Sequence, residues 1–154
     1  MRKVAIIMGS ESDREMVNEA LPYLKYFKIE AEIKVMSAHR TPHHVHAFAE
    51  EAEQAGFQVI IACAGMAAHL PGVVAAYTSL PVIGVPLAAG ALNGVDSLYS
   101  IVQMPAGVPV ATMAIGKAGM KNAAIFAAQI LARSDQEVAA QLKKFKKNHC
   151  RIEE

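Results

Sequence analysis

Short apolar runs alternate with helix-periodic stretches along the whole chain, and this alternation constrains the fold more than any other feature. Val4–Met8, Ala31–Val35, Val59–Ala62, Val82–Val85 and Val108–Thr112 read as strands. Helices are predicted from Ser12 to Phe27, Pro42 to Ala55, His69 to Tyr77, Asp96 to Val102 and Met120 to Ala132, with a last one over about 135–148. Ser12-Asp-Arg-Glu15 and Ser134-Asp-Gln-Glu137 carry the capping-box pattern, in which side chains satisfy the orphan amides of a first helical turn. Pro42 stands where a first turn tolerates proline, and Gly56 follows as a stop. The strands are continuously apolar, as in a sheet covered on both faces. One α/β domain over residues 1–154 is therefore expected, a three-layer sandwich around a central parallel sheet.

Composition narrows the class. Hydrophobic residues make up 53% of the 154 residues, which implies buried surface beyond the core of a monomer. The net charge of +1 marks no nucleic-acid footprint. The one basic run, Lys143-Lys-Phe-Lys-Lys147, reads as a solvated helix face. Cys63 and Cys150 match neither a zinc spacing nor a disulfide framework, and a reducing cytoplasm fits them. The apolar segment near Met1 is too short for a signal peptide, and no stretch is long enough to span a membrane.

In parallel sheets of this kind, ligands bind beyond the carboxyl ends of the strands. The unusual segments all fall there. Gly9-Ser-Glu-Ser-Asp13 follows the first strand, and free amides at a helix start favour an anion such as phosphate. For Ser12 alone, a helix cap is the simpler role. Asp13 can cap, or accept hydrogen bonds from ribose hydroxyls. Ser37-Ala-His-Arg40 follows the second strand, and the Arg40 fork suits phosphate. His39 is either ligand-facing or structural. His43, His44 and His46 read as a solvated helix face, since no acidic or thiol partner lies close enough for a metal site. The methionines read as core filler.

The third strand runs into Cys63-Ala-Gly-Met-Ala-Ala-His-Leu-Pro-Gly72. His69 stands there among small residues that let a ligand approach the backbone, and imidazole moves protons well near neutral pH. The alternative is a hydrogen-bonded histidine in a packed loop. No G-x-G-x-x-G follows the first strand and no G-x-x-x-x-G-K-[ST] occurs, which removes support for dinucleotide and P-loop sites.

Gly9-Ser-x-Ser-Asp13, Ser37-Ala-His-Arg-Thr-Pro42, Ala64-Gly-x-Ala-Ala-His-Leu-Pro-Gly72 and Gly94-Val-Asp-Ser-Leu-Tyr-Ser-Ile-Val-Gln-Met-Pro105, in that order, resemble the PurE family of purine biosynthesis in its N5-carboxyaminoimidazole ribonucleotide mutase branch. The later Val110-Ala-Thr-x-Ala-Ile-Gly-Lys-Ala-Gly119 fits too, so the resemblance covers nearly the whole chain. It implies a flavodoxin-like fold assembled as an octamer, with the C-terminal helix packing on neighbouring subunits. It implies a nucleotide substrate whose phosphate is held by Ser10, Ser12, Ser37 and Arg40, and whose ribose is held by Asp13. Ala64, Gly65 and Ala67 then border the imidazole, and His69 is the general acid/base. It implies carboxylate transfer from the exocyclic nitrogen to C4, without ATP, metal or biotin. The partners it implies are the substrate, further copies of the chain and, functionally, an ATP-dependent synthetase.

A second branch carboxylates aminoimidazole ribonucleotide directly. It usually carries Lys at the position of Arg40 and lacks the His-Leu-Pro-Gly motif, so Arg40 and His69 favour the mutase. The segment Leu87–Gly94 departs from the commoner pattern, which has polar residues near Ala88 and Ala89. Rival readings are weaker. A signalling receiver needs clustered acids where this chain has Met8-Gly-Ser10. A flavin carrier needs aromatic stackers, and there is no Trp and no Tyr or Phe in those loops. A nucleotide-binding module without catalysis remains an alternative.

Overall fold

The computed structural model describes residues 2–152. Five parallel strands form one sheet in the order β2-β1-β3-β4-β5. They are β1 (Lys3–Met8), β2 (Glu30–Val35), β3 (Val59–Gly65), β4 (Val82–Leu87) and β5 (Ala111–Thr112). Seven helices connect and cover them: α1 (Arg14–Asn18), α2 (Leu21–Tyr26), α3 (Pro42–Glu51), α4 (Leu70–Tyr77), α5 (Val95–Val102), α6 (Lys117–Leu131) and α7 (Gln136–Lys147). This is the flavodoxin-like order, whose topological switch lies between β1 and β3.

Strand alternation builds the three layers. Val4, Ile6 and Met8 of β1 and Ile61 and Cys63 of β3 face α1, α2, α6 and α7, joining Phe27, Met120, Ala124 and Phe145. Ala5, Ile7, Ile60 and Ala62 face the other way, against Val45 and Ala49 of α3 and Leu70 and Val74 of α4. Every residue of β4 is buried. Gly84 is needed in it, because a Cβ there would stand 2.4 Å from Ile101 and 2.8 Å from Val110.

Several expected boundaries move. The helix predicted from Ser12 to Phe27 is broken into a 3-10 turn at Glu11–Asp13, then α1, then α2. Pro22 sits in the first turn of α2, where its missing N–H does no harm but continuation from α1 fails. Ser12 is not the cap: Ser10 is, and its hydroxyl accepts from the Ser12 N–H. The second capping box also shifts, since Asp135 rather than Ser134 accepts from Glu137 and Val138 N–H. The fifth strand shrinks to Ala111–Thr112, because Pro109 has no N–H for the ladder. α6 starts at Lys117 rather than Met120.

Candidate active site

The carboxyl ends of β1, β2 and β3 open into a cavity of about 310 Å³. That is the low end of small-molecule sites, roughly 300–1,000 Å³. β1 contributes Gly9, Ser10, Ser12 and Asp13, and β2 contributes Ser37, Ala38, His39 and Arg40. β3 contributes Ala64 to Ala67, His69 and Leu70, and the loop after β4 adds Ala89. The residues expected to hold the substrate and move the proton therefore line one cavity: Ser10, Ser12, Asp13, Ser37, Arg40, Ala64, Gly65, Ala67 and His69. A larger hollow of about 720 Å³ lies at the opposite, amino end of the sheet beside Ile29, Glu30 and Ala31, and it holds no histidine.

The serine loops are preshaped. The Ser10 hydroxyl accepts from the Ser12 N–H at 3.3 Å, and the two hydroxyls share a bond of 2.9 Å. The Ser37 hydroxyl accepts from the N–H of His39 at 3.3 Å and of Arg40 at 3.2 Å. Its acceptor side is thus used on the loop while its hydrogen stays free for a ligand oxygen. The Thr41 hydroxyl completes the turn, accepting from the Ser37 N–H at 2.9 Å. Arg40 is exposed, and among the described residues its guanidinium makes no ion pair. Burial lifts the Asp13 carboxyl above the usual range, and a hydrogen bond from the Ser10 backbone pulls weakly the other way. Burial, and secondarily the Asp13 charge, push the Cys63 thiol up, so this cysteine is a packing residue.

His39, left open by the sequence, meets His69 directly. Its Nε2 stands 2.7 Å from His69 Nδ1, with the rings edge to face and their centroids 4.8 Å apart. No spacing rule could pair residues 30 apart in the chain; the adjacent ends of β2, β1 and β3 do it. Met66, taken in the sequence for core filler, is exposed at the cavity rim instead. His43 and His44 are exposed on α3, while His46 pairs with Glu50 at 3.1 Å and lies against Tyr77. Among the described residues no three His, Cys, Asp or Glu side chains gather as a metal site.

The sequence model of the AIR carboxylase family matches residues 3–151. The chain belongs to the AIR carboxylase family. It is 59% identical over 145 residues to the N5-carboxyaminoimidazole ribonucleotide mutase of Saccharolobus solfataricus, covering 94% of this chain and 90% of that one. The enzyme of the same name from Escherichia coli K12 is 55% identical, over 94% and 86% of the two chains. The crystal structure of Treponema denticola PurE superposes with a TM-score of 0.87 at 32% identity, over 97% and 92%. A 3-dehydroquinate dehydratase-like protein of Bifidobacterium longum, at 16% identity and a TM-score of 0.57, shares the fold alone. This chain is thus an enzyme of the family's mutase class, and no helix among its described residues is long and apolar enough to cross a membrane.

Proposed function

We propose that the chain converts N5-carboxyaminoimidazole ribonucleotide to 4-carboxy-5-aminoimidazole ribonucleotide, with proton transfer by His69 in partnership with His39. The observation that carries this reading is the His39–His69 pair, set in a cavity whose other walls offer anion-binding groups.

Ser10, Ser12, Ser37 and Arg40 hold the 5′-phosphate in this reading, supported by the free hydroxyl hydrogen of Ser37 and the unpaired Arg40 fork. Asp13 takes the ribose hydroxyls. Ala64, Gly65 and Ala67 leave room for a flat imidazole beside His69. The pair starts with one extra proton. His69 Nε2 delivers a proton to the exocyclic nitrogen while His39 passes its Nε2 proton to His69 Nδ1. The N–carboxylate bond breaks, its electrons stay on nitrogen, and carbon dioxide and aminoimidazole ribonucleotide result. C4 attacks the carbon dioxide. The C4 proton then returns to His69 Nε2, and the pair recovers its charge.

The 53% hydrophobic content and the exposed Val95, Tyr99 and Val102 of α5 support assembly, which we take to be a homo-octamer with α7 also meeting neighbouring subunits. We place the enzyme in the cytoplasm, supplied by an ATP-dependent synthetase, and working without cofactor or metal.

The test is conversion of N5-carboxyaminoimidazole ribonucleotide by purified protein without ATP or added bicarbonate. Formation of the C4 isomer faster than spontaneous breakdown supports the proposal. Product formed only from aminoimidazole ribonucleotide and carbon dioxide moves the chain to direct carboxylation. Binding without turnover makes it a nucleotide-binding module.

A further inference from the structure

Met66 lines the cavity, is exposed, and has no part in the reaction above. It lies at the end of β3 with a left-handed backbone, φ 55, which disfavours any residue bearing a Cβ. Glycine would relax that position. A side chain kept there against the preference of its own backbone needs something to touch.

It touches the loop between β4 and α5. A Cβ built on Gly90 would stand 3.4 Å from Met66 Cγ and 3.7 Å from its Sδ, so the thioether chain lies across the tip of that loop. The loop's ends are pinned from the other side. The buried Ser97 hydroxyl stands 2.9 Å from the carbonyl oxygens of both Leu87 and Gly94. Between those pins, Ala88, Gly90, Ala91, Leu92 and Asn93 are exposed. The inner side approaches the site closely, since a Cβ on Gly65 would meet Ala89 Cβ at 2.7 Å. The result is a flap built mostly of Ala and Gly, fixed at its base and held at its tip by one flexible side chain. An unbranched thioether suits a contact that must yield and re-form.

We propose that Met66 is a positioning residue that latches the loop from Ala88 to Asn93 over the cavity, and thereby keeps released carbon dioxide beside C4 until it is recaptured. This rests on the mutase reading above. The latch acts on retention rather than on proton transfer, so its loss shows first as leakage.

The experiment compares the wild type with Met66→Gly, Met66→Ala and Met66→Leu in buffer containing 13C-bicarbonate. Free aminoimidazole ribonucleotide released per product formed is measured, corrected for spontaneous breakdown, together with label entering the product. The Gly and Ala variants are expected to leak several-fold more substrate carbon and to take up more label. Met66→Leu restores the apolar chain and is expected to retain carbon dioxide nearly as the wild type does. Equal retention in all four proteins overturns the proposal. Amide hydrogen exchange of residues 88–93 in the substrate-free proteins is the independent readout. It is expected to quicken in the Gly and Ala variants alone, and unchanged exchange overturns the latch. A wild type that shows no mutase turnover overturns the functional reading instead, while the exchange result still decides the latch contact.

Discussion

Two charged regions of this molecule treat their charges in opposite ways. At the corner where the start of β1 meets the start of α7, Arg2 pairs with Asp135 and with Glu137, and Lys28 also reaches Glu137 at 2.6 Å. Under that network Tyr23, Tyr26, Phe27 and Phe145 pack largely edge to face, with centroids 5.1 to 6.4 Å apart. At the carboxyl edge of the sheet, Arg40 and Asp13 make no ion pair among the described residues, and the histidines have only each other. The carboxyls register the difference. The Arg2 guanidinium holds Asp135 below the usual carboxylate range, and Lys28, then Arg2, do the same for Glu137. Burial moves Asp13 the other way. Charges answered within the chain hold a structure together. Charges left unanswered in a cavity await a ligand.

Substitutions on each side can break or sharpen this contrast. The largest effect is expected from His69→Asn. Turnover should fall by about 10²–10⁴-fold, the usual worth of a positioned acid/base, with substrate binding and melting temperature nearly unchanged. A variant that turns over normally removes His69 from the mechanism. On the structural side, Phe145→Ala should cost about 3–5 kcal/mol of stability, read from urea unfolding, because it empties the aromatic corner. Arg40→Ala should weaken substrate binding by about 1.5–3 kcal/mol, the worth of hydrogen bonds to a charged group, and leave the melting temperature in place. If it lowers stability instead, Arg40 belongs with the structural charges.

The smallest effect is expected from Glu137→Gln. The folded state holds this carboxyl below its ordinary value, so the ion pairs stabilise the fold above the unfolded pKa, about 4.3, and that gain fades as pH falls through the folded pKa. Melting curves should put the variant slightly below the wild type at neutral pH. The gap should close in acid and shrink in high salt. A gap that widens in acid would reverse the assigned sign.

Much of the candidate site's lining was legible because a parallel sheet brings its strand ends together, and those ends carry the Ser, Asp, Arg and His residues. The partnership of His39 with His69 was not legible, since it depends on two loops turning toward each other. The exposure of Met66 was not legible either, since apolar residues are usually buried and a left-handed backbone places this one at the rim. The break near Pro22 is written in the sequence, but the strong helical periodicity on both sides of it masks one proline. Both caps were displaced because capping depends on which hydroxyl or carboxyl faces the free amides, and the residue pattern alone is ambiguous by a position or two.

The sequence by itself determined the alternation of strand and helix, the parallel sheet buried on both faces, and the set of residues delivered to one edge. These follow from local periodicity and from the steric rule that parallel strands need crossovers. Only the tertiary structure decided which imidazole meets which, which charges stay unpaired, and which small loop lies under a methionine. Those depend on distances between segments far apart in the chain, and packing sets them only after the layers have closed.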